Sequence, residues 1–274
     1  MDINKDNVRE YLFEKFGDIS FIEESHQYFI DEQEYTPVSS IIEEYEEYVD
    51  WDKKAHDYAK KYNLDVYEVQ KKWKLNSLKA TISGTRVHEF GESYVNLMLG
   101  HPELICEGTK KQYIKEYNTL VPTCPKEEAI VSFYKEINDA HMIKLYPVGT
   151  ELKLSTKYIK GARPICGTTD VLFWGEGDFG EKGFVIGDYK TNKSLYNDYK
   201  RTFNETMKYP FNHFVDDAFS HYVLQFNLYQ RMLESVGIKI IDRVLIWLKE
   251  NEYERIFIPK LSDELIDKVI IEKS

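Results

Sequence analysis

Three residues in two short segments concentrate the chemistry this sequence can offer. Asp170 stands in GTTDVLF (167–173), and Asp188 and Lys190 stand in VIGDYKT (185–191). Each acid interrupts an apolar run that reads as a buried strand. A buried carboxylate is costly unless it is paired or binds a metal. Period-two alternation puts Asp188 and Lys190 on one face and turns Tyr189 to the other. Two acids on neighbouring strands, with a lysine beside one, make a hard-cation site with an ammonium at its edge. Oxygen ligands of this kind suit Mg2+ or Mn2+, which keep waters and bind phosphate oxygens. Taken singly, an Asp-x-Lys pair is commonplace and reads equally well as an edge-strand surface pair.

Two helical motifs stand beside these strands. GTRVH (84–88) opens a predicted helix with His88 one turn in, and Glu92 lies four positions on, on the same face. Gln225 and Tyr229 are spaced i, i+4 in HYVLQFNLY (221–229) and share a face. Alone, the bland reading holds for each: a satisfied or exposed helical histidine, a surface glutamine, a core tyrosine.

The elements that must position them follow from periodicity and punctuation. Residues 20–36 alternate around an Asp-Glu turn and read as a short hairpin. Helices are predicted at Trp51–Tyr62, Asp65–Trp73 (capped by Asp65) and Gly84–Leu99. Residues 101–124 read as an irregular excursion with a short helix, and Lys126–Ala140 as helical. Three strands follow, Val148–Tyr158, Ile165–Trp174 and Gly183–Thr191, with turns at 160–161 and 175–180. After a polar connection (192–212) come a helix at Asp216–Ser235 ended by Gly237, strands at Arg243–Leu248 and Tyr253–Ile258, and a closing helix capped by Ser262. The expected fold is α/β (α+β), one domain over 1–274, with a hairpin and helical extension at 1–82 and the core at 83–274.

Apolar residues make up 42% and charged residues 30% of the 274 positions, which fits a globular chain and excludes a disordered one. No apolar run approaches a membrane span, and the acidic, amphipathic N-terminus lacks signal-peptide character, so an intracellular, cytoplasmic protein is expected. Cys106, Cys124 and Cys166 are odd in number and lack CxxC spacing, so neither a disulfide framework nor an iron–sulfur cluster is expected. The net charge of −11 is unevenly spread: residues 1–50 carry 15 acids against 3 bases, and the remainder 33 bases against 32 acids. Residues 51–90 hold nine bases against five acids, either a path for phosphates or a solvated helix face.

The ordered set GTRVH, a strand glutamate in VGTELKL (Glu151), GTTDVLF, GDYKT and QFNLY resembles the RecB-type branch of the PD-(D/E)XK nuclease superfamily. Its close relatives include phage-type and mitochondrial single-strand DNA exonucleases, and HQYFIDEQEYTPVSSIIEEY (26–45) is similar to the segment preceding their histidine motif. The likeness spans about His26 to Leu248. Thr169 replaces the signature proline, and the four-cysteine cluster of some relatives is absent. The resemblance implies a restriction-endonuclease-like mixed sheet flanked by helices and a metal-dependent DNA exonuclease in recombination, repair, replication or phage DNA processing. It implies one or two Mg2+ or Mn2+ ions held by His88, Asp170, Asp188 and the Tyr189 carbonyl, with Glu151 near the metals. Lys190 would be the catalytic lysine, and Gln225 and Tyr229 would orient the scissile strand.

Candidate DNA contacts are Thr85, Arg86, Lys193, Lys200 and Arg201, the last three in or near a polar loop that follows the catalytic strand. Trp51, Trp73, Tyr199, Phe203 and Tyr209 are either stacking platforms for single-stranded bases or core. A structure-directed endonuclease, or an inactive DNA-binding subunit that docks a protein through the acidic N-terminal block, are the competing readings. Richness in Lys, Asn, Ile and Tyr points to an AT-rich, phage or bacterial genome.

Overall fold

A computed structural model describes residues 3–23, 25–139, 144–176, 180–250 and 252–271. The chain is a mixed α/β fold. Helix α1 (Val8–Phe16) leads into a three-stranded meander, β1 (Ser20–Ile22), β2 (Gln27–Ile30) and β3 (Gln33–Pro37), followed by α2 (Val38–Glu43). Helices α3 (Trp51–Tyr62) and α4 (Val66–Met98) come next. Short 3-10 turns and a two-stranded ribbon, β4 (Tyr113–Ile114) with β5 (Thr119–Leu120), lead to α5 (Pro125–Asp139). Strands β6 (Leu145–Ser155), β7 (Ile165–Glu176) and β8 (Lys182–Lys190) precede α6 (Asp198–Thr202) and α7 (Ala218–Glu234). Strands β9 (Ile240–Leu248) and β10 (Tyr253–Phe257) and helix α8 (Asp263–Ile270) close the chain.

Eight strands form one sheet in the order β1-β2-β3-β7-β8-β9-β10, with β6 on β7. The β6–β7–β8 ladders are antiparallel, while β8–β9 and β3–β7 are parallel. Alternation divides the central strands between two cores. Leu172, Phe184, Ile186 and Leu245 face α7, with Val223, Leu224 and Phe226. Val171, Phe173, Val185, Tyr189 and Ile246 face α4 and α5, with Val87, Phe90, Ile130 and Phe133. Each side chain buried this fully contributes about 1.5–3 kcal/mol. Both faces of β7 and β8 are therefore apolar, and a charge on either needs a reason.

Two expectations are corrected. The hairpin at 20–36 is a meander that joins the main sheet through Thr36↔Ile165 and Pro37↔Cys166. Its Asp-Glu turn is as expected, with Asp31 and Glu32 both left-handed (φ +48° and +64°), the combination a two-residue hairpin turn requires. The helices read at Asp65–Trp73 and Gly84–Leu99 are one 33-residue helix, α4, about 50 Å long. Asp65 caps it, accepting from Glu68 N at 3.0 Å. Residues 74–83 have no apolar face turned to a core, so periodicity missed them, yet they contain no proline and favour helix well enough to bridge. The turn expected at 175–180 and the end of the helix expected at 126–140 lie partly outside the described residues.

Candidate active site

Two sheet ladders break at the same place. β7 pairs with β8 only as far as Val171↔Gly187, and one more step of that register would set Asp170 opposite Asp188. On its other edge β7 pairs with β6 at Thr150↔Val171 and again at Leu152↔Thr169, skipping Glu151, which stands opposite Asp170. Glu151, Asp170 and Asp188 thus form one row across three adjacent strands. Like charges directly opposite each other destabilise a sheet, and here the pairing lapses. Glu151 takes a left-handed conformation (φ +49°), uncommon for a residue with a Cβ.

Local hydrogen bonds hold the gap in shape. Thr150 Oγ1 donates to the Asp170 carbonyl at 2.6 Å, and Thr169 Oγ1 to the Gly187 carbonyl at 3.2 Å. The Tyr189 N–H, past the end of the ladder, donates to Asp170 Oδ2 at 2.7 Å. It is thus the amide of Tyr189, not the carbonyl, that the structure shows engaged with a site acid. The Tyr189 ring points to the other face, as alternation predicts. It lies so close to Gly91 of α4 that a Cβ there would come within 2.6 Å of it, and its hydroxyl shares a hydrogen bond with Tyr134. A glycine at 91 lets α4 approach the sheet and carry His88 to the gap.

His88 Nδ1 lies 3.1 Å from Asp170 Oδ2. Burial works against its charge, but Asp170 outweighs it and raises the imidazole to about 9. Asp170 is pulled the other way: burial opposes its ionisation, but His88, Lys190 and the Tyr189 N–H hold its carboxyl below the usual range. Asp188 is pushed up, by burial first and then by Asp170. Glu151 is also raised, by burial and then by Asp170 and Glu92, although its surface is exposed and water screens part of that field. Titratable groups whose environments drive their pKa values apart mark candidate functional sites.

Lys190 Nζ sits 2.7 Å from Asp188 Oδ1 and 4.5 Å from the centre of the Tyr222 ring. Burial disfavours its charge, but Asp188, Tyr222 and Asp170 outweigh that and keep the ammonium protonated. The contact with Asp188 is short but lacks hydrogen-bond angles, so Asp188 Oδ1 is buried with no hydrogen-bond partner. Among the described residues, no three His, Cys, Asp or Glu side chains are gathered as a ready-made metal cage; His88 and Asp170 face each other instead.

Gln225 Nε2 donates to Tyr229 OH at 2.9 Å, as the i, i+4 spacing predicts. The Tyr229 ring lies over Gly167, where a Cβ would come within 2.6 Å. Both residues line a cavity of about 380 Å3 with Glu151, Lys153, Phe21 and His26. A second cavity, about 600 Å3, touches the acid row only through Glu151.

The DNA-contact candidates fare unevenly. Arg86 bonds Glu127 (3.1 Å) and Thr123, Lys200 bonds Asp216 (2.6 Å), and Arg201 lies 3.6 Å from Asp217. Thr85 and Lys193 are exposed. Of the aromatic candidates, Trp51, Tyr199, Phe203 and Tyr209 are exposed, and Trp73 is half-buried against the ring of Trp51. Sequence reasoning missed Tyr222 and Asn192, joined at 2.7 Å beside Lys190; only their proximity in the chain to the catalytic motifs hinted at it. Among the described residues no helix is long and apolar enough to cross a membrane. No protein-family model and no curated protein matches the chain.

Proposed function

We propose that the chain is a divalent-metal-dependent DNA exonuclease of the PD-(D/E)XK kind, hydrolysing phosphodiester bonds from free or single-stranded ends. The observation that carries this reading is the acid row Glu151–Asp170–Asp188, met by His88 and Lys190 where the sheet ladders lapse. The donor set fits a hard cation: Asp188 Oδ1, buried with only the Lys190 ammonium beside it, is an acceptor with capacity to spare. Asp170 and Asp188 would hold Mg2+ or Mn2+, with His88 joining them on giving up its proton and Glu151 and the Tyr189 carbonyl alongside. Bound there, the ion would neutralise phosphate charge and lower the pKa of a water.

The chain's own groups do the rest. Lys190, 2.7 Å from Asp188, serves as a positive charge and hydrogen-bond donor at the edge of the acid row. It offsets charge developing on the phosphate oxygens. Gln225 and Tyr229, side by side in the adjoining cavity, orient the strand.

Incubation with 5′- and 3′-labelled single- and double-stranded oligonucleotides, with Mg2+ or with EDTA, tests the reading. Expected is Mg2+-dependent loss of label from linear single strands, sparing circles, and its disappearance in Lys190→Ala. Cleavage of circles would make the enzyme an endonuclease. A Lys190→Ala preparation with wild-type rates would mean that the site is misassigned.

A further inference from the structure

Two cavities meet at one short stretch of β6. Glu151 and Lys153 line both the 600 Å3 cavity under α1 and the 380 Å3 cavity beside Gln225 and Tyr229. Pockets of 300–1,000 Å3 hold a single drug-sized ligand, and a mononucleotide is of that size. The walls are aromatic. Phe13, 77% exposed, and Phe16 line the first; Phe21 and His26, their rings 5.3 Å apart and edge-on, line the second.

The cations differ from those picked out by charge in the sequence. Arg86, Lys200 and Arg201 are committed to carboxylates. Arg9, in the first cavity, and Lys153, between the two, pair with no carboxylate among the described residues; Lys153 Nζ reaches only the Ile19 carbonyl, at 3.3 Å. Cations outside close ion pairs, set beside aromatic walls, suit a ligand with anionic links between flat rings. The acids in the two linings are Glu10 and Glu151, and Glu151 belongs to the row that would face a cation.

We infer that a single-stranded polynucleotide lies across both cavities, with bases against Phe13 and His26 and the phosphate between them over Lys153. This rests on the nuclease reading and adds where the strand runs. Two separate pockets suit the bases of a single strand, which can enter one by one.

The test is fluorescence anisotropy of fluorescein-labelled dT15 with the full chain in EDTA, across a salt series. Lys153→Met should weaken binding by about five-fold or more and lower the log–log salt slope by about one, the signature of a lost phosphate contact. Lys153→Arg should restore both. Phe13→Ala and His26→Ala, at exposed positions, should weaken binding by about five-fold without changing the slope. The inference is overturned if the wild type binds but these variants stay within two-fold of it. It is equally overturned if the loss appears instead in Lys71→Ala/Lys72→Ala/Lys74→Ala, which would put the strand on α4. A wild type that neither binds nor cleaves oligonucleotides would sink the nuclease reading as well.

Discussion

Glu127 and Asp188 are both buried acids, 0% and 1% exposed, and the fold treats them in opposite ways. Glu127, in the first turn of α5, has its capacity filled. Oε2 accepts from Gln112 Nε2 (2.8 Å), Thr123 N (2.6 Å) and Thr123 Oγ1 (2.9 Å), and Oε1 from Arg86 Nε (3.1 Å). Asp188 has a cation beside it, a second acid opposite and an oxygen without a hydrogen bond. A buried acid that serves structure is fully satisfied, because each unmet bond costs about 1–3 kcal/mol. One left unsatisfied among like charges is a cost that folding alone does not explain. A ligand supplied from outside, as proposed above, would.

That contrast predicts opposite outcomes for two mutations. Asp188→Asn should lower Mg2+-dependent DNA hydrolysis by about 10³-fold or more, while thermal stability stays close to level, because relief of the like-charge clash with Asp170 offsets loss of the ion pair with Lys190. Glu127→Ala should do the reverse: a stability loss of about 3 kcal/mol in urea melts, from leaving the Thr123 N–H and Gln112 amide unmet. Activity per folded molecule should fall far less. If Asp188→Asn unfolds the protein and Glu127→Ala does not, the two acids have been read the wrong way round.

Sequence alone places the acids on strands but not at the break. Asp170, Asp188 and Lys190 are legible because a charge inside an apolar period-two run is conspicuous at short range. The row they make with Glu151 depends on inter-strand register, which shifts by one residue at the irregularity between Pro147 and Gly149. No local pattern encodes that shift. The ion pairs of the candidate contact residues are hidden from sequence for a related reason. Lys200 and Arg86 look available in sequence, yet their partners are 16 and 41 residues away. Lys153 looks ordinary in sequence, yet among the described residues it pairs with no carboxylate and reaches only the Ile19 carbonyl. α4 was split because amphipathic periodicity detects helices that pack along their length, and its middle packs on nothing.

A third measurement sharpens the comparison without touching activity. If Asp188 awaits a cation, Mg2+ at a hundred times its Kd should stabilise the fold by about 2.7 kcal/mol. The shift should vanish in Asp188→Asn and persist in a folded Glu127→Gln variant. An equal rise in all three would trace to general salt effects.

Asp216 offers the smallest and most specific contrast, because it is a satisfied acid near the site rather than in it. It accepts from Lys200 Nζ (2.6 Å) and His221 Nε2 (2.7 Å) and receives the Glu47 N–H at 3.3 Å, tying the connection after β8 to the chain after α2. Burial opposes its ionisation, but Lys200 and His221 outweigh burial and hold its carboxyl below the usual range. A carboxyl lowered in the folded state contributes stability above its unfolded pKa of about 3.9, and loses it as the pH falls through the folded value. The stability gap between wild type and Asp216→Asn should therefore be about 1 kcal/mol at pH 7 and shrink below pH 4. Asp188→Asn should show no such gap to lose, since its carboxyl is shifted upward and its charge is a cost to the fold. Urea melts at pH 7 and pH 3.5 decide it: a gap for Asp216→Asn that is flat with pH would mean that its hydrogen bonds, and not its charge, hold the connection in place.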